Sequence, residues 1–111
     1  MDANAIMKTP IKNDACVDSL KLLGDYWTLR IIDSLESNEL RYCELQRTVG
    51  NVNPVTFTAK LKKLEEAQIV DRTEESLDKI SVTYRLTKLG QSVLPVIKAM
   101  NNFAEKLAAS V

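Results

Sequence analysis

Residues 41–64 read RYCELQRTVGNVNPVTFTAKLKKL, and this stretch decides the fold. Tyr42, Leu45 and Val49 recur at i, i+3 and i+7, the spacing of one helix face, and Gly50 closes that short helix. Asn53 is a good N-cap, because its side-chain oxygen can accept from amides that lack helical partners. Pro54 suits the first helical position, where its missing N–H costs nothing. Phe57, Leu61 and Leu64, at i, i+4 and i+7, mark the inner face of a second helix over residues 54–66, with its exit near Gln68. The stretch is therefore two helices joined by a tight turn.

Upstream, residues 1–14 are polar and mixed, carry Pro10, and are expected to form a flexible arm to a single domain over residues 15–111. Cys16, Leu20 and Leu23 give a first helix that Gly24 ends, and Trp27, Ile31 and Leu35, widened by Ile32, give another that leaves at Ser37-Asn38. Downstream the period changes from 3.6 to 2. Ile80, Val82, Tyr84 and Leu86 alternate with Ser81, Thr83 and Arg85, which predicts a strand. Residues 69–75 are its weaker partner, and residues 76–79 form the connecting loop of a hairpin. Thr87 opens a last long helix. Its apolar residues Leu89, Val93, Val96, Met100, Phe103 and Leu107 step by four and three like a heptad seam, and Pro95 is expected to kink it.

Composition narrows the chemistry. The 111 residues include 15 Lys and Arg, 15 Asp and Glu, and no His, with 45% apolar and 27% charged residues. A chain of this length can bury roughly two-thirds of its unfolded surface, enough for one core. The absence of His removes imidazole catalysis and every His-ligated zinc site. Glu65-Glu66 and Glu74-Glu75 are adjacent pairs that diverge on a helix or strand, and three Gly leave no phosphate-binding loop, so no enzyme, metal or cofactor is expected. Cys16 and Cys43 are too few for a disulfide framework. With no secretory h-region and no membrane-length apolar run, the expected compartment is the cytoplasm.

The order helix, helix, short helix, turn, helix, hairpin, long helix is mainly α with a small β part. It predicts an α+β, winged helix-turn-helix domain with a two-stranded wing. The second helix of such a unit enters the major groove of double-stranded DNA. With Phe57, Leu61 and Leu64 inward, its outward side holds Val55, Thr56, Ala59, Lys62 and Lys63, with Thr58 and Lys60 on the flanks. Small and hydroxyl side chains meet base edges, and Lys meets phosphates or guanine. Arg41, Pro54 and the wing's Lys79 complete the candidate DNA-contact set.

The zero net charge speaks against nucleic acid only until it is divided. Residues 1–40 carry net −3, residues 41–64 net +4, residues 65–80 net −4 and residues 81–111 net +3. The positive block is the two-helix unit. The wing, with Glu74, Glu75 and Asp78, is acidic and would repel phosphates unless Lys79 reaches them.

Four stretches together resemble the HxlR-type winged helix-turn-helix transcriptional regulators, relatives of the MarR group. They are Leu23-Gly24-Asp25-Tyr26-Trp27-Thr28, Arg41-Tyr42-Cys43-Glu44-Leu45, Thr58-Ala59-Lys60-Leu61-Lys62-Lys63-Leu64-Glu65 preceded by Phe57, and Tyr84-Arg85-Leu86-Thr87-Lys88-Leu89-Gly90 with Leu94-Pro95-Val96 beyond it. The resemblance implies a prokaryotic homodimer on a pseudo-palindromic operator, with the two reading helices about 34 Å apart. It also implies dimer contacts from the first and last helices, residues 15–23 and 93–108. Candidates there are Leu20, Val93, Val96, Ile97, Met100, Phe103 and Leu107.

In this motif Trp27 is expected in the core beside Ile31 and Tyr84. Many such proteins carry a Cys-Pro pair near the first helix that in some senses oxidants. Here Cys16 lies slightly later and Val17 follows it, and its place on the apolar stripe suggests a small buried hydrophobe. Redox sensing through Cys16 and a protein-interaction module without DNA binding are the competing readings.

Overall fold

The computed structural model describes residues 14–76 and 80–110. Helix α1 spans Asp14–Leu23, α2 Tyr26–Ser34, α3 Tyr42–Val49 and α4 Pro54–Glu66. A two-residue strand, β1 (Leu40–Arg41), precedes α3. The hairpin strands are β2 (Val70–Ser76) and β3 (Ile80–Leu86), followed by the short α5 (Lys88–Gln91) and the long α6 (Leu94–Ala109).

The domain is thus mainly helical with a small antiparallel sheet, as expected, but the sheet has three strands in the order β1-β3-β2. Leu40 pairs with Tyr84 and Arg41 with Thr83 on one side of β3, and Val70 pairs with Leu86 on the other. The hairpin is therefore tied to the start of α3, which limits how the wing can move relative to the two-helix unit.

The core lies where the apolar faces of α2, α3, α4 and the sheet meet. Ile31, Ile32, Leu45, Phe57 and Leu64 are fully buried, with Val49, Leu61, Val70, Tyr84 and Leu86 around them. Tyr42 packs edge-on against Phe57, ring centroids 5.1 Å apart, and lies 6.5 Å from Tyr84. Trp27 is half-buried against this core, and its ring neighbour is Tyr26, centroids 4.9 Å apart. Trp27 thus packs on the core that holds Ile31 and Tyr84, partly rather than fully buried, and the ring paired with Tyr84 is Tyr42.

α4 ends in a tight reversal. The Gln68 N–H donates to the Glu65 carbonyl and the Ile69 N–H to the Leu64 carbonyl, both at 3.0 Å, which places Gln68 at φ 62 in the left-handed region. This is a Schellman termination with Gln where Gly fits best. The entry to β2 is then clasped to α5. The Thr87 hydroxyl donates to the Gln68 carbonyl at 2.6 Å and accepts from the Gly90 N–H at 2.9 Å. A Cβ at Gly90 would sit 2.1 Å from the Ile69 carbonyl oxygen, so only Gly fits this approach.

One expectation about the last helix is corrected. The seam from Leu89 to Leu107 is not one kinked helix but α5 and α6, separated at Ser92-Val93. Pro95 lies in the first turn of α6, where its ring and missing N–H are harmless, so it starts a helix rather than bending one. The break turns Val93 into the core, where it is only 6% exposed.

Candidate nucleic-acid interface

The turn between α3 and α4 is built as its residues suggest. Gly50 adopts φ 111, outside the range an L side chain tolerates well, and the Val52 N–H donates to its carbonyl at 2.8 Å. The Asn53 Oδ1 accepts from the Val55 and Thr56 amides at 2.8 and 3.4 Å, with Pro54 entering the first turn. The other end of the unit is also held. Arg30 of α2 donates from Nη2 to the Thr48 and Val49 carbonyls at 2.9 and 3.3 Å, satisfying carbonyls that α3 leaves free at its end.

α4 sits on this frame with Phe57, Leu61 and Leu64 buried. Pro54, Val55, Thr58, Ala59, Lys62 and Lys63 are exposed, Val55 to 78%, and Thr56 is half-buried. Of the expected outward set, Val55, Ala59, Lys62 and Lys63 are open to solvent, whereas Thr56 is partly covered. An apolar side chain as open as Val55 has no packing role in this chain.

The two flanking residues behave differently from that surface. Lys60 is half-buried, and its Nζ lies 3.0 Å from Oδ1 of Asp25, the N-cap of α2. The Thr58 hydroxyl lies 2.7 Å from the Tyr42 hydroxyl of α3. Asp25 also accepts from the Thr28 N–H and hydroxyl, both at 2.9 Å. Partial burial opposes ionisation of Asp25, but the Lys60 ammonium and the Thr28 donors outweigh it and hold the carboxyl below its usual value of 3.8.

Arg41 is exposed at the start of α3, and its N–H donates to the Glu44 carboxylate at 3.0 Å. It opens onto a polar hollow of about 490 Å³ between α3 and the sheet, lined also by Glu39, Glu44, Thr73, Glu75, Thr83 and Arg85. Arg41 therefore stands beside the wing rather than on the α4 surface. Glu74 and Glu75 are exposed on β2, with Arg72 3.4 Å from Glu74 and Arg85 3.6 Å from Asp71. Lys79 lies outside the described residues.

The apolar seam of α6 is open. Every residue from Lys98 to Ser110 is exposed, and Val96, Met100, Phe103 (64%) and Leu107 form a stripe with Leu20 of α1 also uncovered. Ile97 is half-buried against the core. Leu89 and Tyr26 are further large exposed apolar residues. No residue of α1 is buried, so Cys16 is half-buried rather than the expected core hydrophobe, and Cys43 is exposed on α3. The reason is that α1 meets the domain through Leu22 and Leu23, leaving the earlier part of its stripe outside the core.

Across residues 22–110 the chain matches the HxlR-like helix-turn-helix family. It belongs to the HxlR family. Among its relatives is the HTH-type transcriptional regulator YdzF of Bacillus subtilis, 32% identical over 83 residues, 74% of this chain and 76% of YdzF. The reduced form of the transcriptional regulator YodB from B. subtilis superposes with a TM-score of 0.78 at 26% identity, covering 86% of this chain and 93% of YodB. A MarR-family chain from Porphyromonas gingivalis matches with a TM-score of 0.78 at 27% identity, covering 87% and 97%. This HxlR chain is accordingly a transcriptional regulator built on a winged helix. Among the described residues no cluster of three metal-ligating side chains occurs, and no helix is long and apolar enough to cross a membrane.

Proposed function

We propose that this protein is a sequence-specific DNA-binding regulator that binds a pseudo-palindromic operator as a homodimer, with α4 in the major groove. The observation that carries the reading is the outer face of α4, where Val55, Thr58, Ala59, Lys62 and Lys63 are exposed on a helix whose opposite face is fixed in the core. Val55 and Ala59 suit thymine methyls, Thr56 and Thr58 suit base edges, and Lys62 and Lys63 suit phosphates or guanine. The acidic β2 adds little to this field, so affinity rests on a narrow surface used twice in a dimer.

The open face of α6 supports the same reading from another side. A helix that ends in a fully exposed stretch containing Met100, Phe103 and Leu107 leaves an apolar stripe that its own domain does not cover. A second copy meeting it through α1 and α6 would cover it and pair the two reading helices about one DNA turn apart.

The test is selection of bound fragments from the source genome by the purified chain, followed by footprinting. The reading requires a protected palindrome whose half-site preference changes in Val55→Ala and Ala59→Ser variants. A chain that retains no fragment above background overturns it. Binding of a protein partner through the acidic wing, with no retained DNA, would instead favour an interaction module.

A further inference from the structure

We infer that Lys60, on the reading helix, is a positioning residue rather than a DNA contact: with Asp25 it forms a latch that fixes the rotation of α4 against α2. The inference rests on the DNA-binding reading of α4. Three observations carry it. The Lys60 ammonium lies 3.0 Å from Asp25 Oδ1, and each side chain keeps 31% of its surface, so both are drawn in from solvent. Asp25 is itself fixed, because its other oxygen accepts both Thr28 donors while it caps α2. Thr58 is bonded to Tyr42 at 2.7 Å, and two residues along a helix correspond to a turn of about 200°. The helix is thus braced on opposite flanks by α2 and α3, with Val55, Ala59, Lys62 and Lys63 between the braces.

The consequence is a division of labour among three lysines close in sequence. Lys62 and Lys63 are exposed and free to displace counterions from DNA. Lys60 is already neutralised by Asp25, so binding DNA through it would require breaking the latch. What the latch supplies is register: the small residues that face base edges point correctly only if α4 does not roll about its axis.

The same pair also reaches another part of the molecule. Asp25 lines a hollow of about 470 Å³ together with Tyr26, Leu29, Ile97 and Met100. Ile97 and Met100 belong to α6, so the latch stands between the reading helix and the helix that carries the open apolar stripe.

The experiment uses the full chain and a labelled duplex recovered in the selection above, with a scrambled duplex as reference. Anisotropy titrations run from about 50 to 200 mM salt, where the slope of log K counts released counterions. Five variants are compared: Lys60→Ala, Lys60→Arg, Asp25→Asn, the Lys60→Ala/Asp25→Asn double variant and Lys62→Ala. Asn keeps the capping oxygen for Thr28 and removes the charge that holds Lys60. Lys60→Ala and Asp25→Asn each weaken the specific complex about two- to fivefold, as expected for a partly buried ion pair. They leave the scrambled complex unchanged, and the double variant loses no more than the worse single. Lys60→Ala keeps the wild-type salt slope, whereas Lys62→Ala lowers it by about 0.9. Lys60→Arg restores specific affinity. A Lys60→Ala slope reduced like that of Lys62→Ala, or a specific complex unaffected by Asp25→Asn, overturns the inference while leaving DNA binding intact. Failure of the wild-type chain to bind any duplex refutes the DNA-binding reading and the latch's role in it together.

Discussion

The hydroxyl groups of Tyr42 and Thr58 lie 2.7 Å apart and join α3 to α4 across the turn that Gly50 and Asn53 build. Tyr42 belongs at once to the core, through its edge-on contact with Phe57, and to the reading surface, through Thr58. Tyr42→Phe keeps the ring and removes only the bond. It should cost about 0.5–1.5 kcal/mol in urea unfolding. Thr58→Val in the Tyr42→Phe background should then add little, because the partner is already gone. Equal, additive losses from the two changes would mean that the bond does not couple the helices.

Gln68 offers a gain rather than a loss. It holds φ 62 only because the Schellman bonds from Gln68 and Ile69 close α4 there. Gly populates this region without a Cβ clash, although it adds entropy to the unfolded chain. Gln68→Gly should raise stability by roughly 0.5–1 kcal/mol, since left-handed geometry costs other residues about 1–2 kcal/mol. A lower melting temperature in calorimetry would contradict the assignment of strain to this residue.

The Asp25–Lys60 pair makes stability depend on pH with a definite sign. The folded state holds the Asp25 carboxyl below 3.8, chiefly through Lys60 and Thr28 against the opposing effect of burial. A lowered folded-state value means that ionised Asp25 contributes stability above the ordinary carboxylate range and loses it as pH falls through the folded value. The stability difference between wild type and Asp25→Asn should therefore be constant from about pH 7 to 5 and shrink below about pH 4. Paired urea melts check this. A difference that stays flat down to pH 3 or so, or grows on acidification, would show that the charge on Asp25 is not what stabilises the fold.

Much of this was legible in residues 41–64. The apolar spacing, the Gly50 stop and the Asn53-Pro54 start are local signals, and each element they predict is present. The hairpin was legible for the same reason, because β3 alternates strictly over seven residues. What was hidden is non-local. β1 has two residues, too few for any alternation to register, and it exists only because β3 offers it an edge. The four-three spacing from Leu89 to Leu107 runs across the gap between α5 and α6, so periodicity alone could not reveal that Val93 turns inward. Lys60 reads as a solvated flank until α2 brings Asp25 beside it, and no spacing within α4 encodes that partner.

The open stripe of α6 yields a prediction about assembly. Phe103 and Leu107 are exposed in the single chain. If they meet a second copy, Phe103→Ala with Leu107→Ala should shift the chain to monomer in sedimentation equilibrium. Truncation of a central aromatic anchor typically costs about 2 kcal/mol or more of association energy. Specific DNA affinity should fall with it, while the thermal stability of the monomeric domain changes little, since these side chains support no core. A wild-type chain that sediments as a monomer at every concentration would contradict the proposed use of this face.

The central claim is that the outer face of α4 reads DNA, and the salt dependence of binding tests it most directly. Titration of the selected operator fragment with the wild-type chain and with Lys62→Ala/Lys63→Ala compares the slopes of log K against log salt. If both lysines contact phosphate in each half-site, the double variant should lose about 0.9 per contact from the slope. It should also weaken operator and unrelated DNA alike. An unchanged slope, with operator binding intact, would place the DNA-binding surface somewhere other than α4.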